Sequence, residues 1–178
     1  MKPLDLVADK NTDPELQKFF DKLKKNIGRV PNFYSVCANS PAALKGLLAF
    51  REQLEQGELS LKEAHAIALV VGQKNECDYC LRAHTMMGKR AGSTEQDTLD
   101  YRKGKAADPK MNALLRLTAE MAANKGSAAP ATIEAFFSAG YSKAALVEVA
   151  GMIALNVFTN YVNHIAHTEA DFPEVKKV

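Results

Sequence analysis

The chain has 178 residues, 47% of them apolar and 25% charged, with a formal net charge of +2. That length suits one domain with a real core and no obvious second one, and the composition is ordinary for a globular protein. The near-neutral balance, with no basic cluster interleaved with aromatics, argues against a nucleic-acid partner. The opening MKPLDLVADKN contains no apolar h-region, so no secretory signal is expected. The longest apolar runs, Ala144–Ala150 and Val157–Ala166, are interrupted by Glu148 or by Asn and His, so no membrane span is expected either. A cytoplasmic protein follows from these two readings. Asp13 and Pro14 then mark an N-cap and a favoured first-turn proline, and Leu16, Phe19, Phe20, Leu23 and Ile27 form a helical stripe that ends at Gly28 and Pro31. Ser40-Pro41 opens a second helix with Leu44, Leu47, Leu48 and Leu54, closed by Gly57. Ser60 and Glu63 read as a capping box for a third, which carries Leu61, Ala64, Ala68 and Val71 and stops near Lys74–Asn75. A further helix should start at Glu76–Cys77 and end at Gly92. Next come a short charged helix from Ser93 to Gly104, capped by Ser93 and Gln96, and one from Asp108-Pro109 to Gly126 with Met111, Leu114, Leu115, Thr118 and Met121 inward. Pro130 to Gly140 is short and carries Phe136 and Phe137; Ser142 caps a long final helix to about His167, followed by the tail Asp171-Phe172-Pro173. No alternating strand pattern, repeat or linker is present. The spacing predicts an all-α, single-domain helical bundle over residues 1–178.

The chemistry concentrates in residues 60–92. Cys77 and Cys80 form a C-x-x-C pair, and His84 follows at i+4 from the second cysteine. Spaced i, i+3, i+7, the three side chains project from one helix face. Free N–H groups and the dipole at a helix start lower a thiol pKa, and a neighbouring imidazole can take its proton. The C-x-x-C spacing also permits a disulfide within one turn. These are the ingredients of a redox dithiol. Two rivals stand beside it. Free cysteines are often small buried hydrophobes, which accounts easily for one but not for a pair with a histidine on the same face. Zinc could take the three side chains plus His65 as a fourth ligand, although structural sites usually draw their second pair from another knuckle and no second cysteine pair exists. Cys37 lies in an apolar context without a partner and reads as a core residue. On the final helix Asn156, Asn160, Asn163 and His167 form a polar stripe with His164 beside it. The bland reading is a solvated face or a buried network between helices or subunits, and the sharper one is a border of the thiol pocket.

The stretch NECDYCLRAHTMMGKRAG, preceded by SLKEAHAIALVVGQK, resembles the core of the alkylhydroperoxidase (AhpD-like) branch of the carboxymuconolactone decarboxylase superfamily. The later NVFTNYVNHIAHTEADFP is similar to the C-terminal helix of its peroxidase-related members, so the resemblance covers the chain from Pro31 onward. It implies an all-helical domain assembling as a homotrimer or homohexamer. It also implies hydroperoxide reduction through a dithiol–disulfide cycle, with an external dithiol of lipoyl or thioredoxin-like type as reductant and no bound flavin, haem or metal. In that scheme Cys80 is peroxidatic, Cys77 resolves, and His84 belongs to the proton relay. Decarboxylase members lack the cysteine pair.

One departure from the family pattern stands out. The relay usually includes a Glu twelve residues before the first motif cysteine, and here that position is His65. Glu63 is two residues away, about 200° around the helix, and should point elsewhere. In an antiparallel hairpin turning near Asn75, His65 and His84 lie at comparable distances from the turn and are expected to face each other. Two outcomes follow: His65 replaces the carboxylate as base, with activity falling as pH drops through ~6–7, or the relay is weakened. Position alone favours Cys77 for acidity, because it should lie nearest the helix start, whereas Cys80 is one turn from His84. The expectation is a thiol-dependent hydroperoxide reductase; the alternative is a non-enzymatic helical oligomer with a zinc-binding or structural Cys/His cluster.

Overall fold

The computed structural model describes residues 3–10 and 13–178. The reading of the opening segment and its lack of an h-region falls partly on residues 1, 2 and 11, which lie outside the described ones. A 3-10 turn at Ala8–Lys10 precedes nine α-helices, and no strand occurs among the described residues. They are α1 (Pro14–Ile27), α2 (Asn32–Cys37), α3 (Pro41–Glu55), α4 (Leu61–Lys74), α5 (Asp78–Arg90), α6 (Glu95–Arg102), α7 (Pro109–Ala123), α8 (Pro130–Ser138) and α9 (Lys143–Ala166).

The helix starts follow from short polar residues. Asp13, Ser40, Asp108 and Ser142 each accept a hydrogen bond from a backbone N–H of the first turn, which removes one orphan donor. Ser60 and Glu63 make a reciprocal capping box. At α6 the box is Thr94 with Asp97, one residue beyond the expected Ser93 and Gln96. Ser93 is buried, and its own N–H is already held by the Gly88 carbonyl, so the next hydroxyl serves as cap. Helix α2 has no counterpart among the expected elements.

Helix α4 forms the centre, packed against α5, α6, α7 and α9. The spacing predicted one apolar face including Leu61, yet Leu61 is exposed while Ala66 through Gly72 are buried without a break. A helix apolar all round belongs inside a core. Ile67, Leu69 and Val71 of α4 join Leu114, Leu115 and Leu117 of α7, Phe136 of α8 and Val149 of α9 in one cluster. Each such side chain contributes roughly 1.5–3 kcal/mol through burial. A smaller cluster lies beside it, holding Phe20, Phe33, Leu44, Leu47 and Leu155 together with Cys77 and Cys80. The thiols thus sit in packed apolar surroundings between α2, α3, α5 and α9.

Helix α9 corrects the expectation that no span reaches membrane length. Glu148 and the asparagines do not break it, and its 24 residues are long and apolar enough to cross a membrane by length and composition. It packs against α2, α3, α4, α5 and α7. Gly151 permits close approach to α3: a Cβ there would lie 3.1 Å from Leu54 and 3.3 Å from Phe50.

Candidate active site

The site begins at the turn joining α4 to α5. Glu76 adopts φ +56°, the Glu76 N–H donates to the Gln73 carbonyl at 3.2 Å, and the Cys77 N–H donates to Gly72 at 2.9 Å. This is a Schellman stop with glutamate where glycine is usual, a conformation that costs a non-glycine residue roughly 1–2 kcal/mol. Cys77 therefore closes one helix and, as N-cap, opens the next. It was expected inside the first turn of α5 and lies one step before it, because that stop consumes the residues up to Glu76.

Cys77 and Cys80 are 1% and 4% exposed, with their sulfurs 2.7 Å apart and Cys77 donating. Besides the Cys77 S–H, Cys80 takes a second donor, Asn163 Nδ2, at 3.3 Å. Cys80 is consequently held below the ordinary thiol range, by the Cys77 S–H first and then, against burial, by Asn163. The Cys77 thiol is pushed up, first by its hydrogen bond to Cys80 and then by burial. This reverses the acidity expected from helix position. A dipole that fades within one turn is outweighed by two donors on the neighbouring sulfur. Cys37 is buried in the core, and burial pushes its thiol up to about 11.

Helices α4 and α5 run antiparallel, which brings His65 and His84 together with Nδ1 to Nδ1 at 3.3 Å. One ring must hold a proton on Nδ1 while the other accepts it. Burial, reinforced by His65 and the Arg51 guanidinium, holds His84 down at about 3. Burial, then Arg51, also lowers His65 from its usual value. Both rings are neutral at neutral pH. Glu63 points elsewhere, accepting from the Ser60 N–H at 2.8 Å and from the Tyr141 hydroxyl at 2.6 Å.

Cys80 and His84 open onto one cavity of about 250 Å³, without a hydrogen bond between them. Its walls are apolar and aromatic, with Phe33, Tyr34, Met87, Leu155 and Phe172, and Arg51 supplies a cation. Phe172 is held from the tail: it meets Tyr79 edge-on at 5.4 Å and lies under Arg29 at 5.2 Å, while Asp171 pairs with Arg29 at 3.0 Å. Cys77 faces the other way, onto an open basin with His164 and His167 on its wall. Tyr79 and Asn163 line both spaces and form the partition.

The asparagine stripe thus turns inward. Asn156, Asn160 and Asn163 are buried, and Asn163 touches the Cys80 sulfur, so the sharper of its two readings holds for that residue. His167 instead ends α9 in a left-handed conformation at φ +49°. Arg51 and Phe172 carried no motif signal; each reaches the site only through tertiary packing. Among the described residues no three His, Cys, Asp or Glu side chains are gathered to hold a metal ion.

Residues 41–120 match the model of the carboxymuconolactone decarboxylase family. No curated protein matches the chain. Among solved structures, an uncharacterized peroxidase-related protein from Silicibacter sp. TM1040 is 25% identical, with TM-score 0.81, over 96% of this chain and 92% of that one. An uncharacterized peroxidase-related protein with an alkylhydroperoxidase AhpD core, from Ralstonia eutropha JMP134, is 18% identical with TM-score 0.83, covering 95% and 90%. The debrominase Bmp8, as a cysteine-to-alanine variant in complex with 2,3,4-tribromopyrrole, is 15% identical with TM-score 0.77, covering 96% and 91%. The fold is that of the AhpD-like helical proteins. Over residues 41–120 the chain is similar to the carboxymuconolactone decarboxylase family, and over nearly its whole length it shares the fold of peroxidase-related proteins of AhpD type.

Proposed function

We propose that the protein is a thiol-dependent hydroperoxide reductase working through a Cys77–Cys80 dithiol–disulfide cycle. The observation that carries this reading is the sulfur pair itself, in which the more acidic Cys80 faces an apolar cavity beside His84. The Cys80 thiolate attacks the outer oxygen of R–O–O–H. An S–O bond forms, the O–O bond breaks, and the departing alkoxide takes the proton that Cys80 gave to the neutral His84–His65 pair on ionising. Cys77 then attacks the sulfenic acid, an S–S bond forms, and hydroxide leaves with the Cys77 proton as water. An external dithiol reduces the disulfide. An organic hydroperoxide added to the reduced protein should consume two thiols per molecule and leave a Cys77–Cys80 disulfide visible in peptide mass spectra. Unchanged thiol counts at excess peroxide would sink the reading. A second reading comes from the likeness to Bmp8: the same dithiol could remove a halogen from an aromatic ring, becoming a disulfide as Ar–Br becomes Ar–H and bromide. Bromide release from a bromopyrrole in place of thiol loss with peroxide would select it.

The assembly we propose is a homo-oligomer, a trimer or hexamer by family resemblance. Val147, Phe158, Tyr161 and Ile165 follow one another along the outer face of α9 with exposures of 72%, 38%, 57% and 61%. Phe50, 44% exposed, lies beside them across Gly151. Contiguous apolar surface of this kind marks an interface. Light scattering at micromolar concentration should report several subunits, and Ile165→Glu should lower the number. A monomeric wild type refutes the assembly.

A further inference from the structure

One buried carboxamide on α9 reaches the reactive sulfur, and a second lies one turn before it. Asn163 donates its Nδ2 to Cys80. Asn160, one turn earlier on the same helix, is fully buried. Asn75 Nδ2 donates to Asn160 Oδ1 at 2.9 Å, which takes up the amide oxygen, and the buried amide nitrogen has no hydrogen-bond partner. Asn75 caps α4 two residues before Cys77, so the turn that positions the thiols also orients the amide. Thr159 stands apart, because its hydroxyl proton is given to the Asn156 carbonyl at 2.9 Å.

We propose that Asn160 and Asn163 form a thiolate hole, in which two amide N–H groups receive the negative charge on Cys80 and make it, and not Cys77, the ionised member of the pair. An uncharged thiol is a weak acceptor, whereas a thiolate makes charge-assisted hydrogen bonds of roughly twice the strength. The unpartnered Asn160 nitrogen is a donor available to an anionic sulfur. The other titratable or charged groups around Cys80 are Cys77, Tyr79, His84 and Arg90 on its own side, Tyr34 and Arg51 across the cavity, and His65 against His84. Among the described residues only Cys77 of these hydrogen-bonds the sulfur. The hole works twice per cycle. It stabilises the nucleophile before peroxide attack. It also stabilises the leaving group afterwards: when a dithiol thiolate bonds to Cys77 Sγ, the Cys77–Cys80 bond breaks and its electron pair goes to Cys80. The hole rests on Cys80 being the nucleophile of the proposed reaction, but ionisation can be read without any peroxide.

The test uses Cys77→Ser, in which Cys80 is the one reactive thiol because Cys37 is buried with its pKa at about 11. The alkylation rate by iodoacetamide is followed against pH, with thiolate ultraviolet absorbance as a second readout and circular dichroism as the check of fold. Adding Asn163→Ala should lower the neutral-pH rate about tenfold, one pKa unit, while the high-pH plateau stays. Asn163→Asp, which keeps the side-chain size and so serves where alanine loosens the helix, should lower it further. Asn160→Ala should shift the profile in the same direction. Profiles that coincide with the parent for Asn163→Ala and Asn163→Asp overturn the hole, even if peroxide turnover falls. A shifted profile in a protein that consumes no hydroperoxide upholds the hole and removes the hydroperoxidase reading.

Discussion

Cys77→Ser should still form a sulfenic acid at Cys80 that a dimedone-type probe traps, while Cys80→Ser should lose peroxide consumption by a factor on the order of 10³ or more. Cys80 faces the aromatic cavity and Cys77 the basin on the far side of Tyr79 and Asn163. Peroxide in that cavity therefore meets Cys80 first. A serine at 77 retains a donor for the Cys80 sulfur, so the nucleophile keeps part of its stabilisation, and only the resolving step disappears. A serine at 80 leaves Cys77 without the sulfur that accepts its S–H, in a buried position that disfavours the thiolate. Labelling of Cys77 in the Cys80→Ser protein at the wild-type rate would show the roles to be reversed.

The second large effect is expected at His65. His65→Ala should depress turnover about 10²-fold, the lower end of what one general acid–base group contributes, and His65→Glu should preserve or raise it. The alanine removes the atom that exchanges a proton with His84 Nδ1. The glutamate restores an acceptor there and favours a protonated His84. The pH response has a definite sign. A neutral imidazole accepts a proton and an imidazolium does not, so activity falls with acid. Because burial lowers His65, that fall should begin below the ordinary imidazole midpoint of ~6.5, lower than the ~6–7 window expected from an exposed ring. Initial rates for wild type and His65→Ala measured from neutrality into acid check this, and coincident curves would make His65 a bystander.

The legible parts were those decided locally. Caps such as Asp13, Ser40, Ser60, Asp108 and Ser142 act within four residues, so a short polar side chain before an apolar run names a helix start. The meeting of His65 with His84 was also within reach, since equal spacing from a tight turn fixes it. Helix α2 escaped because six residues after Pro31 show no full period. The relative acidity of the cysteines escaped for another reason: it depends on Asn163, 83 residues away from Cys80, and on which sulfur of the pair donates. Asn160, Asn163 and Phe172 approach the thiols only because α9 and the tail fold back over α5. No pattern in the sequence states that crossing.

The neutral imidazole pair also ties the folded state to acidity. In the unfolded chain a histidine takes a proton near pH 6.5, but His84, desolvated in the fold, does not until about 3. Above ~6.5 both forms of the chain are deprotonated there, and the pair's contribution to stability is whole. As pH falls toward 3 the unfolded chain gains protons that the folded one refuses, and the equilibrium drifts toward unfolding. Protons therefore act as a denaturant aimed at the α4–α5 hairpin, the element on which the thiols are mounted.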